Sequence, residues 1–169
     1  MVRILVATTG VLPPGPVAEL CEHLMHDGGS VVVMTMVEVP RTFLEAMDDE
    51  ERRSFLDDRD WESDTAEHKT LQYLEERGRR AVEPIVNAIR ALGTEPEITF
   101  VEGADPVEAI VGTAHDVGAD MIVMGATRRL FPEQAWTSVS AQVMERSPCP
   151  LVLLPAQRQE EGADHSRMD

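Results

Sequence analysis

Residues 103–127 read GADPVEAIVGTAHDVGADMIVMGAT and contain a helix and a strand with clear ends. Asp105, followed by a proline, suits the N-cap of a helix whose apolar residues recur at helical spacing until Gly118. Met121–Met124 is then a short apolar run that ends at Gly125, as expected of a strand covered on both faces. The stretch therefore predicts a helix that leads into a buried strand.

The same alternation continues in both directions along the chain. Apolar runs predict strands, and apolar residues at helical spacing predict helices between them. The predicted strands are Ile4–Thr8, Ser30–Val37, Glu97–Glu102, Met121–Met124 and Leu151–Leu154, and the helices begin near Pro16, Thr65, Pro106 and Thr137. This order predicts an α/β fold, a doubly wound five-stranded parallel sheet sandwiched by helices. Ligands bind such sheets beyond the carboxyl ends of the strands.

The composition excludes several classes of partner. The chain has 169 residues, 31 acidic and 15 basic side chains, a formal net charge of −16 and 4% aromatic residues. Nucleic acids and anionic membrane surfaces need clustered cations, so neither is an expected partner. The longest apolar runs are too short to span a bilayer. Two cysteines, Cys21 and Cys149, supply no disulfide framework or zinc spacing, and with no leader pattern they favour a cytoplasmic protein.

Two segments differ from the rest of the chain. Residues 40–64 form an acidic insert, because Glu45–Asp64 contains ten acidic and three basic residues. Its large apolar side chains predict a helical excursion, and we expect a protein partner to dock there. Residues 156–169 are polar and predict a disordered tail. The expected domain thus covers residues 1–155.

Residues 103–127, together with SVSAQVMERSPCPLVLLP at 138–155, resemble the universal stress protein family. That family shows Gly-x-x-Pro at a helix start, Gly-Ala-Asp before a strand, Gly-Ser-Val-Ser at the next helix and Cys-Pro-Val near the end. Ile4–Gly10 resembles the family's first strand. The resemblance implies a Rossmann-like domain of the adenine nucleotide alpha hydrolase type. It also implies a dimeric stress-response binding or regulatory module, with no enzyme activity and no catalytic residues.

Some members of the family bind ATP or AMP through a Gly-x2-Gly-x9-Gly-Ser/Thr loop after the fourth strand. Gly125 matches the first glycine, and Ser138 with Val139 matches the end of the motif. In those members, backbone N–H groups of the loop and a helix N-terminus hold the phosphates. The resemblance therefore makes these three residues candidates for a nucleotide site, together with Thr9 and Arg128, which stand at two further positions of the family's site.

The motif is degraded at three places. Arg128 stands at the second glycine position. Thr137 stands at the third glycine, 12 positions after Gly125 and one fewer than the motif requires. Thr9 stands where nucleotide-binding members carry an Asp at the end of the first strand. Each lost glycine brings a Cβ into space that a phosphate would approach, so ordinary ATP binding is not expected.

Several interpretations stay open. The guanidinium groups of Arg128 and Arg129 can form paired hydrogen bonds with a phosphate, or they can be solvated charges of the loop. Ser138 can bind a ligand or serve only as an N-cap. Asp105 is expected to be an N-cap rather than a ligand contact.

The function is either a regulatory module without ordinary ATP binding or an ATP/AMP switch with weak or no hydrolysis. Metal binding is not expected, and the edge strand Leu151–Leu154 predicts a homodimer.

Overall fold

The computed structural model describes residues 1–26, 28–38, 66–103, 105–126 and 138–155. The predictions for the insert at 40–64, for the tail at 156–169 and for Arg128 and Arg129 lie outside these residues.

Five strands and four helices alternate along the described chain. They are β1 (Val2–Ala7), α1 (Pro14–Leu24), β2 (Gly29–Val37), α2 (Ala66–Ala91), β3 (Glu97–Glu102), α3 (Pro106–Asp116), β4 (Met121–Gly125), α4 (Val139–Arg146) and β5 (Leu151–Leu154). All strand pairs are parallel, and the sheet order is β3-β2-β1-β4-β5. The predicted α/β fold is confirmed. Among the described helices, none is long and apolar enough to cross a membrane.

Side chains of the central strands are buried on both faces of the sheet. Ile4 and Val6 of β1 join a core cluster with residues of α1 and α2, whereas Leu5 and Ala7 join a second cluster with residues of α3 and α4. All four are at most 7% exposed. This double burial explains why β1 and β2 are almost uninterrupted apolar runs rather than alternating ones.

Helix α3 begins where the sequence predicts. The Asp105 carboxylate accepts hydrogen bonds from the backbone N–H groups of Val107 (2.9 Å) and Glu108 (3.1 Å), and Pro106 occupies the first turn. These bonds satisfy donors that have no partner within the helix. The N-cap prediction for Asp105 is confirmed.

The strand order reverses between β1 and β4, which makes the end of β1 a switch point. Ala7 pairs with Met124 at the carboxyl end of this strand pair. The loops that leave β1 and β4 therefore start side by side, at the edge where α/β sheets bind ligands.

Candidate ligand-binding site

A cleft of about 690 Å³ opens at the carboxyl ends of β1 and β2, with α2 as its second wall. Among the described residues it is lined by Thr9 and Gly10 after β1, residues 35–38 at the end of β2, and Tyr73, Arg77, Arg80 and Ala81 of α2. Cavities of roughly 300–1,000 Å³ are typical for small-molecule ligands. The cleft therefore has the place and the size of a ligand site.

The turn after β1 leaves Thr9 on the rim of this cleft. The buried Thr8 donates its backbone N–H to the Met34 carbonyl (3.0 Å), and its Oγ1 accepts the N–H of Gly10 (2.9 Å). Gly10 has a φ of 95°, a left-handed conformation that favours glycine. The chain thus turns sharply away from the sheet, and the side chain of Thr9 is exposed.

Helix α2 approaches the sheet closely along the cleft. A Cβ added at Gly10 would lie 3.6 Å from the Cα of Ala81, which is itself a small residue. One turn earlier in the helix, the buried Gly78 lies against the Phe100 ring of β3. Small residues on α2 therefore set the distance between the helix and the strand ends.

The α2 wall is cationic, although the chain as a whole is strongly acidic. The Arg77 guanidinium lies 5.9 Å from the centre of the Tyr73 ring, a geometry that allows a cation–π interaction. Arg80 forms an ion pair with Glu76 at 2.5 Å, and both side chains are exposed. Two arginines and one carboxylate, Glu38, line the described cleft. Because Glu76 neutralises Arg80, Arg77 is the cation that the described lining offers to an anionic group, and Glu38 lies at the end of β2.

Of the sequence-predicted site residues, Thr9 lines the cleft. Gly125 ends β4, where an added Cβ would lie 3.4 Å from Leu12 Cδ2, an ordinary contact distance. Its φ is not in the left-handed region. Neither local packing nor backbone conformation of the described residues requires glycine at this position. A role for Gly125 in phosphate binding stays a prediction.

Ser138 is the N-cap of α4. Its Oγ accepts the N–H of Ala141 (3.2 Å) and lies 3.1 Å from the Oγ of Ser140. Val139 packs against the buried cluster on the α3 and α4 side of the sheet. The N-cap interpretation of Ser138 is confirmed, whereas its contact with a ligand stays a prediction.

Sequence reasoning missed the three long side chains of the α2 wall. Tyr73, Arg77 and Arg80 are spaced at i, i+4 and i+7, so they lie on one face of the helix. This spacing was the available signal. It does not reveal that the face borders a cleft rather than open solvent.

The buried cysteine and the possible metal ligands of the described chain were considered as sites of chemistry. Cys21 is buried, and this burial raises the pKa of its thiol to about 11, so the thiol stays protonated at neutral pH. Within the part of the chain that the structure describes, no three His, Cys, Asp or Glu residues are placed to hold a metal ion. Cys21 is therefore not a candidate nucleophile.

Comparison with solved structures supports the fold. A universal stress protein family protein from Burkholderia pseudomallei is 20% identical, with a TM-score of 0.57 over 91% of this chain and 96% of that chain. A universal stress protein from Arabidopsis thaliana with AMP bound is 15% identical (TM-score 0.55, 97% of each chain). A universal stress protein in complex with cAMP is 19% identical (TM-score 0.53, 92% and 98%).

A comparison with curated protein sequences found no match. The model of the universal stress protein family, however, matches residues 1–155, which include every described strand and helix. The chain therefore belongs to the universal stress protein family.

Proposed function

We propose that this chain is a cytoplasmic, non-enzymatic regulatory module of the stress-response type that binds an adenine nucleotide in the β1–β2 cleft. The observation that carries the proposal is the cleft itself, which lies next to the sheet's switch point and is walled by two arginines. Structures with the same fold contain AMP and cAMP. Both ligands have the size class that such a cleft accepts.

A nucleoside monophosphate fits the sequence better than ATP does. The β- and γ-phosphates of ATP would need the glycine loop, in which Arg128 and Thr137 replace two glycines. A single phosphate needs fewer backbone contacts. We therefore expect AMP or a cyclic form of it to bind more tightly than ATP, without appreciable hydrolysis.

The competing proposal is an interaction module that binds no nucleotide. Thr9 favours it, because a neutral hydroxyl replaces the carboxylate implied by the family resemblance. Calorimetric titration with AMP, cAMP and ATP separates the two. A Kd for AMP tighter than about 100 μM, equivalent to about −5.5 kcal/mol, supports nucleotide binding. No heat and no thermal protection from any nucleotide supports the interaction module.

A cleft-filling variant shows whether the observed binding occurs in this cleft. Ala81→Leu places a larger side chain beside Gly10 and is expected to weaken AMP binding. Ala91→Leu makes the same change at an exposed position at the end of α2 and is expected to leave binding unchanged. Equal affinities for both variants would place the nucleotide elsewhere.

We further propose that two copies of the chain pair along β5. The Ile122 N–H donates to the Pro150 carbonyl (2.9 Å) and the Ala126 N–H to the Leu154 carbonyl (2.8 Å). Because backbone groups alternate along a strand, those of Leu153 are directed to the open side. Its side chain is also 43% exposed. An apolar open edge of this kind favours covering by a second copy.

A further inference from the structure

We infer that the α2 wall of the cleft is an anion site, in which Arg77 binds a phosphate group of the ligand. The inference deepens the proposed function and rests on it for the identity of the ligand. It concerns a contact on the β2 side of the cleft, away from the β4 loop where the family resemblance implies phosphate binding.

Arg77 has an aromatic neighbour on its own helix. Tyr73 lies one turn before it on the same face of α2, and both side chains line the cleft. The Arg77 guanidinium lies 5.9 Å from the centroid of the Tyr73 ring, within the range of a cation–π interaction.

The charge of Arg77 is not neutralised by a described carboxylate. Arg80 is paired with Glu76, and Arg90 with Glu95, but Arg77 forms no ion pair with any residue of the described chain. Among the described residues, Arg77 therefore presents an unpaired positive charge to the cleft. A planar guanidinium matches two oxygens of a phosphate with parallel hydrogen bonds.

The two candidate phosphate positions lie on different sides of β1. In the sheet, β2 lies on one side of β1 and β4 on the other, and α2 packs against β2 and β3. A phosphate held by Arg77 is therefore distinct from one held near Ser138 at the start of α4. The expected ligand class is a phosphate ester whose charged group lies toward α2.

The test compares Arg77→Gln with Arg79→Gln in the full chain. Arg79 is an exposed arginine on the same helix that does not line this cleft, so its substitution changes the net charge equally. Calorimetry is run with AMP, adenosine and inorganic pyrophosphate. Arg77→Gln is expected to weaken AMP by about 10-fold and leave adenosine within about 2-fold, since a charge-assisted hydrogen bond is lost. Arg79→Gln is expected to change neither.

The outcomes separate this inference from the proposed function. If AMP binds wild type and Arg77→Gln equally, the anion site is overturned and nucleotide binding stands. If no adenine compound binds, but pyrophosphate binds wild type and Arg79→Gln more tightly than Arg77→Gln, the anion site stands and the nucleotide proposal fails. If no ligand distinguishes Arg77→Gln from Arg79→Gln, the anion site is wrong.

Discussion

The Phe100 ring of β3 lies directly on the backbone of Gly78 in α2. A Cβ at position 78 would come within 2.7 Å of Phe100 Cε1 and 2.8 Å of Cγ, distances that real Cβ contacts do not reach. This close approach holds α2 against the edge of the sheet. Arg77 and Ala81, which line the cleft, lie one and three residues from Gly78 on this helix.

We expect Gly78→Ala to lower the free energy of unfolding by about 1–3 kcal/mol, because the added methyl overpacks the contact with Phe100. Urea unfolding measures this loss. Gly112→Ala is the matched control, since nothing lies within 4 Å of a Cβ at that position in α3. Alanine there is expected to stabilise the helix by about 0.5–1 kcal/mol. Equal stability of Gly78→Ala and wild type would contradict the packing account.

Gly10→Ala is expected to destabilise the chain by about 1–2 kcal/mol, because φ is 95° at this position. It should also weaken AMP binding by displacing Thr9 on the cleft rim. Gly28 has the same φ of 95° but does not line the cleft, so Gly28→Ala should cost similar stability without changing AMP affinity. Thermal unfolding and calorimetry check the pair. Loss of AMP affinity in both variants would mean that general destabilisation explains the effect.

Ser138→Ala and Asp105→Ala each remove an N-cap, so each should lower stability by about 0.5–2 kcal/mol. If Ser138 also contacts the nucleotide, only Ser138→Ala weakens AMP binding. Calorimetry at a temperature where both variants are folded distinguishes the two roles. Unchanged AMP affinity in Ser138→Ala would restrict Ser138 to capping α4.

The two edges of the sheet offer a matched test of the dimer. Leu153 in β5 is 43% exposed and Ile98 in β3 is 42% exposed. Leu153→Glu is expected to give a monomer at micromolar concentration, because it puts a buried charge into the proposed interface. Ile98→Glu should stay dimeric. Light scattering after gel filtration measures both masses, and a monomeric wild type would remove the basis of the proposal.

The two cysteines should differ in reactivity and pH dependence. Cys21 is buried and its thiol pKa is raised to about 11, whereas Cys149 is half-buried. A thiol reagent at pH 8 is expected to label Cys149 faster, and Cys149→Ser should remove the fast phase. Because the Cys21 thiol is more acidic when unfolded, the free energy of unfolding should fall as the pH rises from about 9 toward 11. Cys21→Ala should lose that component of the slope.

Local sequence signals were sufficient for most of the fold. Apolar runs predict β1, β2, β4 and β5, and Asp105 and Gly118 mark the start and end of the α3 segment, where the structure has an N-cap and a left-handed glycine. These signals are local because strand burial and helix capping depend on neighbouring residues. The sheet order, which depends on contacts between distant segments, came from the structure.

The candidate site was only partly predictable. Thr9 was named because it stands where nucleotide-binding members of the family carry an Asp at the end of the first strand; the structure places it on the cleft rim, and its contact with a ligand stays a prediction. Arg77 was missed because it lies on the polar side of a long amphipathic helix, where most charges are simply solvated. Only the approach of α2 to the strand ends, through Gly78 and Ala81, turns that position into a cleft wall.

The most direct test of the central proposal is an AMP titration of the ¹⁵N-labelled full chain, followed by amide NMR shifts. AMP bound in this cleft is expected to cause saturable shifts at Thr9, Gly10, Glu38 and Ala81, the residues around the cleft, with a Kd tighter than about 100 μM. Ala81→Leu should reduce these shifts, and Ala91→Leu should not. No shifts at millimolar AMP, or shifts confined to residues away from the ends of β1 and β2, would contradict nucleotide binding in this cleft.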